Sequence, residues 1–124
     1  ESTLRGAGLS AAKFAAVRDL ATKIRSGEVE VHDLDEQPDE EIIQRLVTVR
    51  GIGVWTAQMY LIFRLHRPDV WPIGDLGVRA GYAKAHALDE YPTAKELEPL
   101  GDAYSPWRSA AAWYCYRVLD TELP

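Results

Sequence analysis

Apolar positions in this sequence recur at three- and four-residue intervals, and no segment shows the two-residue alternation of a half-buried strand. The pattern therefore predicts an all-α chain. Phe14, Val17, Leu20, Ala21 and Ile24 form one stripe, with Lys13, Arg18, Lys23 and Arg25 on the other side. Ser10 is placed to cap this helix and Gly27 to end it. Ile42, Ile43, Leu46 and Val47 predict a second helix from about Asp39 to Thr48. It opens with Asp39, Glu40 and Glu41 against the positive end of its dipole. Gly51 and Gly53 then break the period, which resumes from Val54 to about His66 through Trp55, Met59, Ile62 and Phe63.

Pro68 and Pro72 bracket an extended link, after which Asp75 begins a helical run through Leu76, Val78, Arg79, Tyr82 and Ala83. Thr93 and Glu96 have capping-box spacing for a short helix reaching about Leu97. Ser105 and Pro106 read as the N-cap and first-turn proline of a last helix, with Trp107, Ala110, Ala111, Tyr114 and Val118 along one stripe. Trp71, Trp107, Trp113 and Tyr114 are expected in the core or at its edge. The segment from Glu28 to Glu41, with its acidic side chains and no basic one, reads as a solvated connector containing a short turn.

A length of 124 residues predicts a single helical domain over 1–124, large enough to bury a core without staples. One cysteine, Cys115, excludes an intrachain disulfide and any cluster needing several thiolates; a small buried hydrophobe is its expected role. No apolar run is long enough to span a bilayer and no signal segment opens the chain. A soluble protein is expected, cytoplasmic in a bacterium or nuclear in a eukaryote, with no membrane partner. The net charge of −5 argues against a general nucleic-acid binder, but its distribution changes that picture. Residues 42–84 carry 6 basic and 2 acidic side chains and form a basic island between two acidic flanks.

That island contains LVTVRGIGVWTA, from Leu46 to Ala57, a glycine turn between two helices spanning about 39–66. Missing side chains at Gly51 and Gly53 permit a tight turn and let a phosphate approach the amides that follow. By itself Gly-x-Gly between helices is as readily explained as punctuation of a helix junction. A second element follows at fixed distance: WPIGDLGVRAG, Trp71 to Gly81, with Asp75 at the head of a helix 20 residues beyond Trp55. Asp is also a favoured N-cap, so helix capping alone accounts for it equally well.

Together these two elements, with GLSAAKFAAVRDLA from Gly8 and SPWRSAAAWYCYR from Ser105, resemble the helix-hairpin-helix DNA glycosylase superfamily. Within it the chain is most similar to the 3-methyladenine DNA glycosylase II (AlkA-type) family, over about Leu4 to Leu119. The resemblance implies a base-excision repair glycosylase that hydrolyses the N-glycosidic bond of alkylated purines. Asp75 would be its catalytic carboxylate, stabilising positive charge on the deoxyribose as the base departs. Bifunctional relatives carry a lysine nucleophile where this chain has Trp55, so the implied enzyme is monofunctional.

Trp55, Met59 and Tyr116 are implied as walls of the pocket for the flipped base, where an aromatic surface suits a cationic alkylated ring. Aromatics at helical spacing are also ordinary core residues. For the DNA backbone the resemblance implies Arg50, Gly51 and Gly53 and the amides of Val54, Trp55 and Thr56. Carbonyls of Val47, Val49 and Ile52 would hold a monovalent cation, Na+ or K+, bridging to the DNA; no other cofactor is implied. His32, His66 and His86 have neither metal-ligand spacing nor a neighbouring nucleophile.

The implied partner is double-stranded DNA containing alkylated bases. Among modified bases 3-methyladenine leads, while hypoxanthine, 1-methyladenine and 7-methylguanine stay open. In the family, a wedge residue and several helices precede the region matching Leu4, and this sequence lacks them. They are expected in an N-terminal segment of the same protein, which would then be a partner of this chain. Two other readings compete: a non-catalytic helix-hairpin-helix DNA-binding module, favoured by the acidic flanks, and a helical protein-interaction domain.

Overall fold

A computed structural model describes residues 2–122, and every regular element among them is helical. In order these are α1 (Ser2–Gly6), α2 (Ala11–Ser26), a 3-10 turn (Leu34–Glu36), α3 (Asp39–Val47) and α4 (Val54–Met59). A π turn (Tyr60–Arg64) continues α4, followed by α5 (Leu76–Ala85), α6 (Ala94–Leu100), a 3-10 turn (Gly101–Tyr104) and α7 (Arg108–Leu119). The chain gathers into two compact units, one up to Ala57 and one from Gln58 onward. No described helix is long and apolar enough to cross a membrane.

Local sequence sets several helix ends. The Ser10 hydroxyl accepts the Lys13 amide at 3.3 Å, and Gly27 closes α2 in the left-handed region at φ 79°. Thr93 Oγ1 accepts the Glu96 amide at 3.2 Å and starts α6, which runs on through Pro99 to Leu100. These caps match the sequence expectation.

In the first unit the buried side chains are Val29, Leu34, Ile42, Val49 and Ala57. Two of them correct the solvated-connector expectation, since Val29 and Leu34 come from the acidic segment. Arg45 binds that segment to α3, its Nε bonding Glu41 at 2.9 Å and its Nη1 bonding Asp33 at 3.2 Å. The stripe expected to seal α2 does not. Val17 and Ile24 stay largely exposed, while Lys23, assigned to the solvent side, is partly buried.

The second unit is organised by α5 against α7. Trp71, Val78, Tyr82, Leu97, Ala112 and Cys115 form its core, and Trp71 Nε1 donates to the Leu97 carbonyl at 2.9 Å. Helices approach closely where small residues meet. A Cβ at Gly81 would stand 1.9 Å from the Cys115 carbonyl oxygen, so only glycine permits this crossing.

Two expectations for α7 are corrected. Its start lies at Arg108, and Ser105 does not cap it. Asp69, 39 residues upstream, accepts the Arg108 amide at 3.2 Å and the Arg108 guanidinium at 2.7 and 2.9 Å, while Ser105 donates to the same carboxylate. The inward face consists of the small residues Ser109, Ala112 and Cys115. Trp107 (64 % exposed), Trp113 (49 %) and Tyr114 (71 %), expected in or beside the core, therefore lie outward. Trp71 is buried as expected, as is Cys115, whose thiol pKa burial pushes up to about 11.

Candidate active site

Asp75 precedes α5 in extended conformation, and its Oδ1 accepts the Val78 amide at 2.9 Å. A carboxylate capping an N-terminus is favoured both by the unpaired amides and by the helix dipole. Capping, however, uses one oxygen. Asp75 is 6 % exposed, and its Oδ2 accepts a hydrogen bond from the Tyr116 hydroxyl at 2.8 Å.

Tyr116 projects from α7 toward the first turn of α5. Gly77 makes room for it, since a Cβ there would sit 3.0 Å from the ring and 3.1 Å from Asp75 Oδ1. Burial first, then the hydrogen bond to Asp75 and its charge, hold the phenol well above its usual range. Tyr116 thus stays protonated near neutral pH and serves as a donor. Its hydroxyl also lies 3.8 Å from Met59 Sδ, at the end of α4.

Within the second unit, therefore, three residues singled out from sequence, Met59, Asp75 and Tyr116, converge on one point. Such a cluster, with a buried carboxylate held by two donors, a protonated phenol and a polarisable thioether, offers fixed negative charge beside apolar surface. It suits stabilisation of a developing cation.

In the first unit the turn after α3 is closed by the Ile52 amide bonding the Val49 carbonyl at 3.1 Å, with Gly51 at φ 83°. Arg50, Gly51, Gly53, Val54, Trp55 and Thr56 are all exposed, Trp55 to 52 %. The turn borders a hollow of about 640 Å³ whose lining includes Val47, Val49 and Ile52. Backbone carbonyls are hard oxygen donors of the kind Na+ or K+ takes, and of these three the Val49 carbonyl already accepts the Ile52 amide.

Sequence reasoning missed two residues here. Asp19 Oδ2 accepts the Arg50 amide at 2.7 Å, and Lys23 donates to the Thr48 carbonyl while lying 3.2 Å from the same Asp19 oxygen. Asp19 is held below the usual carboxylate range, chiefly by the Arg50 amide and also by Lys23, against the opposing effect of burial. Its 31-residue separation from Arg50 left no local signal.

A scan of family profiles found no match to this chain. The chain is 38% identical over 116 residues to DNA-3-methyladenine glycosylase 1 of Schizosaccharomyces pombe, a match covering 93% of this chain and 51% of that protein. Among solved structures it is similar to the S. pombe 3-methyladenine DNA glycosylase in complex with abasic DNA. There the TM-score is 0.85 at 36% identity, over 94% of this chain and 57% of that one. It is also similar to a DNA-3-methyladenine glycosidase of Bacillus halodurans, with TM-score 0.86 at 30% identity, over 98% of this chain and 56% of that one. The chain thus spans about half the length of the relatives it matches. On these similarities and on its paired hairpin and aspartate motifs, the chain belongs to the helix-hairpin-helix superfamily of DNA glycosylases, in its 3-methyladenine branch.

Proposed function

We propose that the protein carrying this chain is a monofunctional DNA glycosylase that hydrolyses the N-glycosidic bond of alkylated purines in double-stranded DNA, with Asp75 as the catalytic carboxylate. The observation that carries this reading is the buried Asp75 side chain, held by the Val78 amide through Oδ1 and by Tyr116 through Oδ2.

An N3- or N7-alkylated purine already bears positive charge, so its departure with the bond electrons leaves it neutral. Positive charge then passes to the deoxyribose, where Asp75 opposes it, and water adds to the sugar carbon and releases its surplus proton to solvent. Trp55 has no amine to form a Schiff base, and the route is hydrolysis without strand nicking. Met59 and Tyr116 are assigned to the wall around the flipped base, as apolar and aromatic surfaces suited to a cationic ring. No organic cofactor is called for.

The exposed turn carries the DNA backbone, through Arg50, Gly51, Gly53 and the amides of Val54, Trp55 and Thr56. A monovalent cation on the carbonyls of Val47, Val49 and Ile52 would supply positive charge between the turn and a phosphate. The abasic DNA named with the S. pombe structure supports DNA as the partner.

The test uses the full-length protein on duplex DNA alkylated with a methylating agent. Wild type releases free 3-methyladenine and leaves unnicked abasic sites. Asp75→Asn, which keeps an acceptor for the Val78 amide, excises about 10² to 10³ times more slowly. Tight salt-dependent DNA binding with no base release by wild type would establish the non-catalytic binding module instead.

A further inference from the structure

One face of α2 reaches the hairpin at three points. Ala16, Asp19 and Lys23 stand at i, i+3 and i+7 and share a side of the helix. A Cβ at Gly51 would lie 3.0 Å from the Ala16 methyl, Asp19 accepts the Arg50 amide, and Lys23 bonds the Thr48 carbonyl. A carboxylate next to a surface that must receive phosphate is electrostatically unfavourable. Its presence calls for compensation, and Lys23 lies 3.2 Å from the same carboxylate oxygen, with both side chains mostly shielded from solvent.

We propose that Asp19 and Lys23 are positioning residues for DNA binding: Asp19 fixes the hairpin by accepting the Arg50 amide, and Lys23 neutralises Asp19 toward the incoming phosphate while fastening the Thr48 carbonyl. This rests on the reading of the hairpin as a DNA-backbone contact. Pairing the Arg50 amide with Asp19 fixes the backbone of the turn, whose Arg50 side chain is exposed. That amide and Lys23 hold the Asp19 carboxyl below its ordinary range, and it carries its charge at neutral pH.

Asp19→Asn separates the two roles, because the amide oxygen of Asn still accepts from Arg50 while the charge is gone. In the full-length protein, binding is measured to a duplex oligonucleotide bearing a tetrahydrofuran abasic analogue, across a salt series. Asp19→Ala is expected to bind at least tenfold more weakly, with the slope of log K against log salt reduced by about one phosphate contact. Asp19→Asn binds within about twofold of wild type or tighter. Lys23→Gln weakens binding severalfold, and adding Asp19→Asn to it restores most of the loss. Amide hydrogen exchange at Arg50, read without DNA, accelerates in Asp19→Ala but not in Asp19→Asn.

Wild-type binding by Asp19→Ala, Asp19→Asn as weak as Asp19→Ala, or no restoration in the double variant overturns the inference while leaving the DNA reading intact. Absence of salt-dependent binding by wild type overturns both, and the Arg50 exchange rates then still report whether Asp19 holds the turn.

Discussion

The hydroxyl of Tyr116 donates to Asp75 Oδ2 over 2.8 Å, so α7 meets the N-terminus of α5 through the carboxylate assigned to chemistry. Tyr116→Phe removes this donor and nothing else of the ring. A hydrogen bond to a charged group contributes about 1.5–3 kcal/mol. Single-turnover base release is therefore expected to slow about tenfold or more in a variant that still folds and binds DNA, with its stability lowered by a similar free energy. A variant that loses affinity or folding along with rate would make Tyr116 a packing residue only.

Gly81→Ala forces a methyl into the backbone of α7, 1.9 Å from the Cys115 oxygen and 2.5 Å from its carbonyl carbon. Backbone cannot step aside as a side-chain tip can. We expect a loss of more than about 3 kcal/mol in urea unfolding, in the range reserved for overpacked cores. Gly77→Ala instead meets the Tyr116 ring, and its expected effect is slower base release in a protein that still folds.

Both glycines show what local pattern conveys and what it does not. Ser10, Thr93 and Asp75 were legible as caps because a cap is decided within three or four residues. The start of α7 was not, since its capping carboxylate, Asp69, lies 39 residues away. The stripe through Trp107 and Tyr114 misled for a related reason: large apolar residues dominate a periodicity, yet α7 buries the small residues Ser109, Ala112 and Cys115, the last of them against Gly81. Asp75 and Tyr116 were each named from resemblance, but the bond between them depends on the gap at Gly77. Asp19 gave no signal at all, because its partner is a backbone amide and amides carry no sequence identity.

The Arg108 guanidinium first, then the Arg108 amide and Ser105, hold the Asp69 carboxyl below the usual range, outweighing the opposing effect of burial. A depressed folded-state pKa stabilises above the unfolded value, about 3.9, and that stabilisation fades as pH falls through the folded value. Wild type should exceed Asp69→Asn in stability at pH 7. Urea unfolding at pH 7, 4 and 3 should show the gap closing below about pH 4; a gap independent of pH would exclude the ion pair as its source.

Cys115 is buried and its thiol pKa is raised to about 11. Only the thiolate reacts with disulfide reagents, and a buried one must first be uncovered. At pH 8 the native protein should react with an aromatic disulfide only at the rate of opening of the α5–α7 interface, and fully within the mixing time in denaturing urea. Prompt reaction of the native protein would show that this interface breathes.

Because Asp75 Oδ1 closes the first turn of α5 while Oδ2 points to Tyr116, one side chain answers to two selections at once. A library screened for folding alone would accept Asn, Ser and Thr at position 75, since each can cap. A library screened for repair would reject them all. The difference between the two tolerance profiles at this position, more than either profile by itself, would separate the residue's contribution to the scaffold from its contribution to base release.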